Sequence, residues 1–321
     1  VLHAGVVYEA HQLAQAEHLL NVYLPLARDV GLPDHMILSH VMCARIAFAS
    51  KTGLFSLFRR YMPRWLAWVL ALCFIAANVF NIAADLNMIA ASMNLLVPFS
   101  RWEWIIAFGV GSLLLQVFLP YRSYAKFLRW LVVSLFAYIG VLFFVRMSWS
   151  SALLHTFLPS RVSGADYLLM IIAILGTTLS PYLFVWQAAE EVEELSDRPM
   201  SKRDKENHLP EMRFDVSVGM ILSNVIFWCI VASAAATLHA QGVSAITSAD
   251  QAAQVLQPFV GPVAAGLFVR GIVGTGLLTI PVLAGSAAYA VAELNAWRGS
   301  LSDTWRTASK FYAVLAVTMF A

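Results

Sequence analysis

Apolar residues in this chain come in long unbroken runs rather than in strict alternation. Uncharged stretches cover 65–84, 104–121, 130–145, 167–189, 216–249 and 271–292, and a last one runs from near Phe311 to Ala321. A helix rises about 1.5 Å per residue and the hydrocarbon core of a bilayer is about 30 Å thick, so roughly 20 apolar residues span it. Continuous runs of this size predict membrane helices, because the strands of a membrane barrel alternate with a period of two. A shorter stretch, 35–50, carries Arg45 and is the weakest candidate. Trp65, Trp104, Trp130, Trp186 and Trp297 sit near run ends, where an indole ring can occupy the headgroup layer.

The first forty residues break this pattern. They hold five of the eight histidines (His3, His11, His18, His35 and His40), four acids and no apolar run long enough to cross a membrane. The histidine spacings do not converge on a ligand set, and a signal peptide would need a basic start and a short apolar core. The expected organisation is therefore a non-membrane segment over 1–40 and a transmembrane helical domain over 41–321, with seven to eight spans and the last one cut short.

Composition sharpens the picture. Sixty per cent of the 321 residues are hydrophobic and 40 are charged, where a soluble domain of this length carries roughly 80, so a water-soluble globular protein is excluded. A net charge of +2 gives nucleic acid no footprint, and the lipid bilayer is the first partner. Cys43, Cys73 and Cys229 have no CxxC spacing and lie mostly within apolar runs, which argues against a disulfide frame or a zinc site. No His-Glu-x-x-His, Gly-x-Ser-x-Gly or paired intramembrane aspartates occur in the runs, so an intramembrane enzyme is not expected and no cofactor is implied.

Ionisable groups at membrane depth are costly, and each one suggests a site. Asn78, Asn81 and Asp85 are spaced three and four apart and are expected to share a helix face. Such a stripe suits a proton or ion relay, and it equally suits hydrogen bonding between helices. Arg270 interrupts the stretch between Asp250 and Glu293, and reads either as a partner for Asp85 or as a side chain that snorkels to an interface. The cluster Glu190, Glu191, Glu193 and Glu194 reads as a solvated helix end pairing with Lys202, Arg203 and Lys205, or as a device that concentrates cations.

The segment 176–187, Gly-Thr-Thr-Leu-Ser-Pro-Tyr-Leu-Phe-Val-Trp-Gln, places Pro181 inside an apolar run. Proline lacks an amide hydrogen and its ring displaces the carbonyl four residues back, here that of Thr177. The expected break gathers the Thr177 carbonyl, the hydroxyls of Thr177, Thr178 and Ser180, and the Tyr182 phenol. Oxygen donors suit hard divalent cations such as Mg²⁺ and Mn²⁺, although a proline kink that serves only packing is the competing reading.

These residues, followed by Glu190-Glu191-Val192-Glu193-Glu194, resemble the sixth helix of the Nramp divalent-metal transporters, in particular the Nramp-related magnesium transporter branch. Similar matches occur at Met42-Cys43-Ala44-Arg45-Ile46 with Thr52-Gly53-Leu54, at Asn81-Ile82-Ala83-Ala84-Asp85-Leu86, and over 279–293 from Thr279 to Glu293. The resemblance implies an all-α bundle of the inverted-repeat, LeuT-like transporter fold, with a divalent metal cation as substrate. It aligns Thr177 with a backbone-carbonyl metal ligand and Ser180 with a methionine thioether, so a hydroxyl there implies magnesium over softer metals. It aligns Asp85 with an acid of a proton route and Tyr182 with a histidine of that route, which leaves protons open as a coupled partner. The family's first helix carries an Asp-Pro motif, and this chain holds no Asp-Pro dipeptide. The sequence is accordingly expected to be an incomplete copy lacking its first and C-terminal helices and unable to transport as it stands, with a non-transporting membrane scaffold or inactive remnant as the alternative function.

Basic residues give the orientation. The loops at 51–64, 122–129, 190–213 and 298–310 hold fifteen lysines and arginines, and the intervening loops hold three. By the positive-inside rule the first set is cytoplasmic. Single cysteines introduced into the 190–213 loop are expected to resist a membrane-impermeant thiol reagent in intact cells, and labelling there would reverse the topology.

Overall fold

The structure is a computed structural model that describes residues 32–94, 96, 97, 99–119, a few helical positions between 126 and 140, and then 180–197, 202–237 and 249–321. All regular structure among these is helical: α1 (Leu32–Ser50), α2 (Leu54–Tyr61), α3 (Arg64–Asn94), α4 (Arg101–Phe118), α5 (Pro181–Asp197), α6 (Lys202–Thr237), α7 (Ala249–Asn295) and α8 (Ser309–Phe320). Three described segments are long and apolar enough to cross a membrane: Arg64–Asn94, Pro210–Ala232 and Val269–Asn295. A fourth forms if Ile37–Ser50 and Leu54–Tyr61, bent by 69° at their junction, count as one broken span. The protein is thus an integral membrane protein of all-α class.

The runs read from sequence shift in detail. The run at 65–84 lengthens to 31 residues, because Asn87 in the next turn returns its amide to the Ala83 carbonyl and Asp85 does not end the helix. Of the span expected at 216–249, the described part long and apolar enough to cross is Pro210–Ala232, which takes Glu211, Arg213 and Asp215 into its first turns, and 238–248 lie outside the described residues. Within 130–145, residues 131–133, 135, 136, 139 and 140 are helical and the others lie outside the described residues, as do 167–179. α1 starts at Leu32, ahead of the membrane domain expected from residue 41, and carries the fully buried His40.

Backbone contacts divide the chain into two compact units. The first contains residues 1–78, 178–223 and 284–318, and the second 79–177, 224–283 and 319–321. In the first, α1 and α2 pack on α5, and Gly285 of α7 admits the Trp186 indole so closely that a Cβ there would lie 2.6 Å from its ring. In the second, Gly276 of α7 receives Ile89 of α3, and Gln116 of α4 reaches the Met319 sulfur at 3.5 Å. Along α7, 72% of the apolar stretch is buried, against 28% for α3 and 17% for the span in α6. The outward faces of α3, α4 and α6 expose Trp65, Leu72, Phe80, Ile106, Phe214 and Ile221, the surface a lipid tail covers.

Two helix ends rest on left-handed residues. Lys51 (φ 54) follows α1 and donates its amide to the Ala47 carbonyl at 2.8 Å, while Ala296 (φ 52) follows α7 and lets Trp297 reach the Ala292 carbonyl at 2.8 Å. These hydrogen bonds satisfy helix-end carbonyls, but an L side chain in this conformation costs roughly 1–2 kcal/mol, which glycine avoids. Lys51→Gly and Ala296→Gly are each expected to stabilise the purified protein by about 1 kcal/mol in detergent, read as a higher unfolding midpoint. A lowered midpoint for both would contradict the two caps.

Candidate metal-transport site

α5 begins at Pro181, which suits the first position of a helix because its fixed φ is already helical and no partner is needed for its missing amide hydrogen. Ser180 stands immediately before it, 4% exposed, and its carbonyl accepts the Leu183 amide at 3.1 Å. The proline therefore starts the described helix rather than kinking it from within. Tyr182 and Phe184 of the first turn are half-buried, and the Phe184 ring lies 4.5 Å from that of His40 on α1. Thr177 and Thr178 lie outside the described residues.

Two polar contacts tie the neighbouring helices of the same unit. Asn78 of α3 is 1% exposed and donates its side-chain amide to the Ser286 hydroxyl of α7 at 3.0 Å. Further along α7, the Tyr289 phenol donates to one carboxylate oxygen of Glu193 on α5 and accepts the Leu301 amide at 3.2 Å. The other Glu193 oxygen accepts the Ser302 hydroxyl at 3.3 Å. One acid thus joins α5, α7 and the turn that follows α7. The acidic cluster accordingly departs from a solvated helix end: Glu191 is 4% exposed and Glu193 is engaged, while Glu194 faces outward. The side chains of Lys202, Arg203 and Lys205 lie outside the description.

Glu293 does different work. Its Oε2 accepts the backbone amides of Phe55 at 2.8 Å and Ser56 at 3.0 Å, the second and third residues of α2. These are two of the four donors that every helix start leaves unsatisfied. Gly53 at the cap position brings no side chain to do this, and a Cβ on it would run into the Glu293 carboxylate. A carboxylate from 240 positions along the chain, in round terms, replaces the local serine or aspartate cap.

The sequence candidates separate accordingly. Asn78 belongs to the first unit with Ser180 and Tyr182, and Asn81 and Asp85 to the second. Asn78, Asn81 and Asp85 do not form one buried stripe: Asn81 is exposed and Asp85 is half-buried. The buried face of α3 instead runs through Ala67, Ala71, Phe74, Asn78, Ile82, Leu86 and Ile89. Those steps of three and four place residue 81 about 60° off the stripe. Arg270 is exposed and makes no ion pair with Asp85. Among the described residues no three His, Cys, Asp or Glu side chains form a metal cluster. Sequence reasoning missed Tyr289, Glu193 and Glu293 as structural partners, although an acid at the end of an apolar run was the available signal for Glu293.

The family model described as "Nramp: Natural resistance-associated macrophage protein-like" matches residues 35–321. Among curated proteins, the chain is 24% identical over 246 residues to "Divalent metal cation transporter MntH" of Caldanaerobacter subterraneus, covering 75% of this chain and 57% of that protein. Proteins of the same name from Yersinia enterocolitica (23% identity, 75% of this chain and 58% of that protein) and Brucella suis (25%, 75% and 54%) are similarly related. The chain spans a little over half the length of these curated relatives.

The Glu293 cap generates a coupled prediction. Glu293→Ala is expected to cost about 2 kcal/mol of stability by releasing two buried amides. Gly53→Ala should cost about 1–3 kcal/mol alone and much less in the Glu293→Ala background, where the colliding carboxylate is gone. Additive losses in chemical unfolding of the three variants would mean that the two residues do not meet.

Proposed function

The chain belongs to the Nramp family, and from that premise we propose that it forms the ion-conducting part of a divalent metal cation transporter in a bacterial plasma membrane. The relatives carry that activity in their names, and several of its helices are of membrane-spanning length and apolarity. In this reading the divalent cation is the substrate, met by oxygen ligands at the start of α5. The observation that carries it is Ser180, buried directly ahead of the helix-starting Pro181. A helix start favours negative charge, so its amides alone would repel a cation. The attraction must come from oxygens ahead of the helix, and we assign it to the Thr177 carbonyl and the Ser180 hydroxyl. Asp85, Asn81, Asn78 and Tyr182 are the candidates for an accompanying proton or ion route.

A hydroxyl in place of a soft sulfur ligand favours Mg²⁺, and Mn²⁺ next, over Cd²⁺. Ser180→Met, introduced into a complete transporter of the family that carries this chain's 177–187 segment, is expected to raise Mn²⁺ and Cd²⁺ uptake relative to Mg²⁺ by about tenfold, the effect of a preference change near 1.4 kcal/mol. Uptake into dye-loaded proteoliposomes measures the ratio. An unchanged ratio, with uptake itself intact, would remove Ser180 from the cation's surroundings.

A further inference from the structure

A cavity of about 250 Å³ opens where α2, α3 and α7 meet at one end of the first unit. Its lining is Arg59, Arg64, Ala67, Trp68, Leu294 and Asn295. Arg59 belongs to the last turn of α2 and Arg64 opens α3, so the two-residue link at Met62 and Pro63 sets both guanidinium-bearing positions on one cavity. Neighbouring Arg60 is occupied otherwise, its guanidinium lying 5.7 Å from the centre of the Tyr61 ring. Two positive charges line the cavity; the Glu293 carboxylate beside it interacts electrostatically with Arg59, and no ion pair among the described residues engages Arg64. The ends of α2 and α7 each contribute about half a negative charge and the start of α3 about half a positive one, a net of about half a negative charge that the two arginines outweigh.

The surroundings identify the anion. Arg64 begins a 31-residue apolar helix, so the cavity lies at the boundary between polar and apolar surface. Trp65, Trp68 and Leu72 are exposed on the first turns of that helix, where indole rings sit at headgroup level and apolar side chains meet acyl tails. The stretch 51–64, which contains α2, is expected on the cytoplasmic side from its basic residues, the leaflet in which anionic lipids attract basic clusters. A volume just under the roughly 300 Å³ at which pockets begin to hold drug-sized ligands suits a headgroup whose tails remain outside.

We propose that Arg59 and Arg64 form a binding site for the phosphate of an anionic phospholipid, with Asn295 closing the cavity and the acyl chains lying along Trp68 and Leu72. The occupied site would join the ends of α2, α3 and α7 beside the Glu293 cap, and it does not depend on transport. Each basic contact near an anionic surface contributes about fivefold, so two together give roughly thirtyfold.

The test is native mass spectrometry of the purified protein in detergent containing equal amounts of phosphatidylglycerol and phosphatidylcholine. The protein is expected to retain phosphatidylglycerol with a preference of roughly thirtyfold, and Arg59→Gln with Arg64→Gln to abolish that preference. Each single variant should lose about fivefold, and Arg101→Gln at the start of α4 should lose nothing. Thermal unfolding gives the second readout: phosphatidylglycerol should raise the midpoint of the native protein and not of the double variant, whose midpoint without lipid should be unchanged. Equal retention of the two lipids, or a preference that survives in the double variant, overturns the site. Stabilisation by millimolar inorganic phosphate equal to that by phosphatidylglycerol would assign the cavity to a soluble anion and overturn the lipid.

Discussion

A single carboxylate fixes how the chain turns at its first bend. α1 and α2 meet at 69°, and such a bend in apolar surroundings strands the first amides of the second helix. An unpaired buried amide costs on the order of 1–3 kcal/mol, and Phe55 is 3% exposed. Glu293 supplies the acceptor from α7, and one of its carboxyl oxygens takes both the Phe55 and Ser56 amides. The arrangement dictates one nearby residue. Gly53 must lack a side chain because the carboxylate occupies that volume, and Lys51 adopts a left-handed conformation where α1 ends.

The same end of α7 carries the second anchor. Tyr289 lies one helical turn before Glu293, and its phenol joins Glu193 of α5 to the Leu301 amide. Its ring also meets Phe311 of α8 at 5.0 Å and Trp186 at 6.2 Å, so apolar packing and hydrogen bonding hold the same side chain. Trp186 can approach only because Gly285 has no side chain. α5 is therefore held against α7 near its start by the Trp186–Gly285 contact and further along by Glu193. Ser180 stands at the front of this clamped helix, so its position follows from the rigidity of the element behind it.

Much of this was legible in the sequence, and the losses have physical causes. Runs of uncharged residues found α3 and the second half of α7, because burial in lipid leaves no alternative to a continuous apolar surface. Proline chemistry pointed to an interruption around 177–181, and the described helix α5 begins at Pro181 within it, while 177–179 lie outside the described residues. The true face of α3 was not, since three polar residues at helical spacing weigh less than the packing of Ala71, Phe74, Ile82 and Ile89, which fixed the rotation of the helix and left Asn81 outside. Nor was the role of Glu293 visible. Its partners are backbone amides at the far end of the described chain, and no side-chain pattern announces a backbone donor. The acidic cluster at 190–194 misled for a related reason: charge counting treats four glutamates alike, whereas helical geometry turns Glu191 inward, Glu193 toward Tyr289 and Glu194 outward.

The acids of the apolar helices thereby fall into two kinds. Glu293 and Glu193 have their oxygens taken by named donors, and each holds together elements that would otherwise present unpaired groups. A carboxylate committed in this way is a poor carrier of a mobile ion, because releasing its partners would cost the fold the interactions it exists to make. Asp85 differs: it is half-buried on α3, and no hydrogen bond or ion pair links it to another described residue. Asn78, at the equivalent angle two turns earlier, is already bonded to Ser286 and belongs with the structural group. The division by partner rather than by residue type leaves Asp85 as the acid of α3 whose carboxyl group is not committed to holding described elements together.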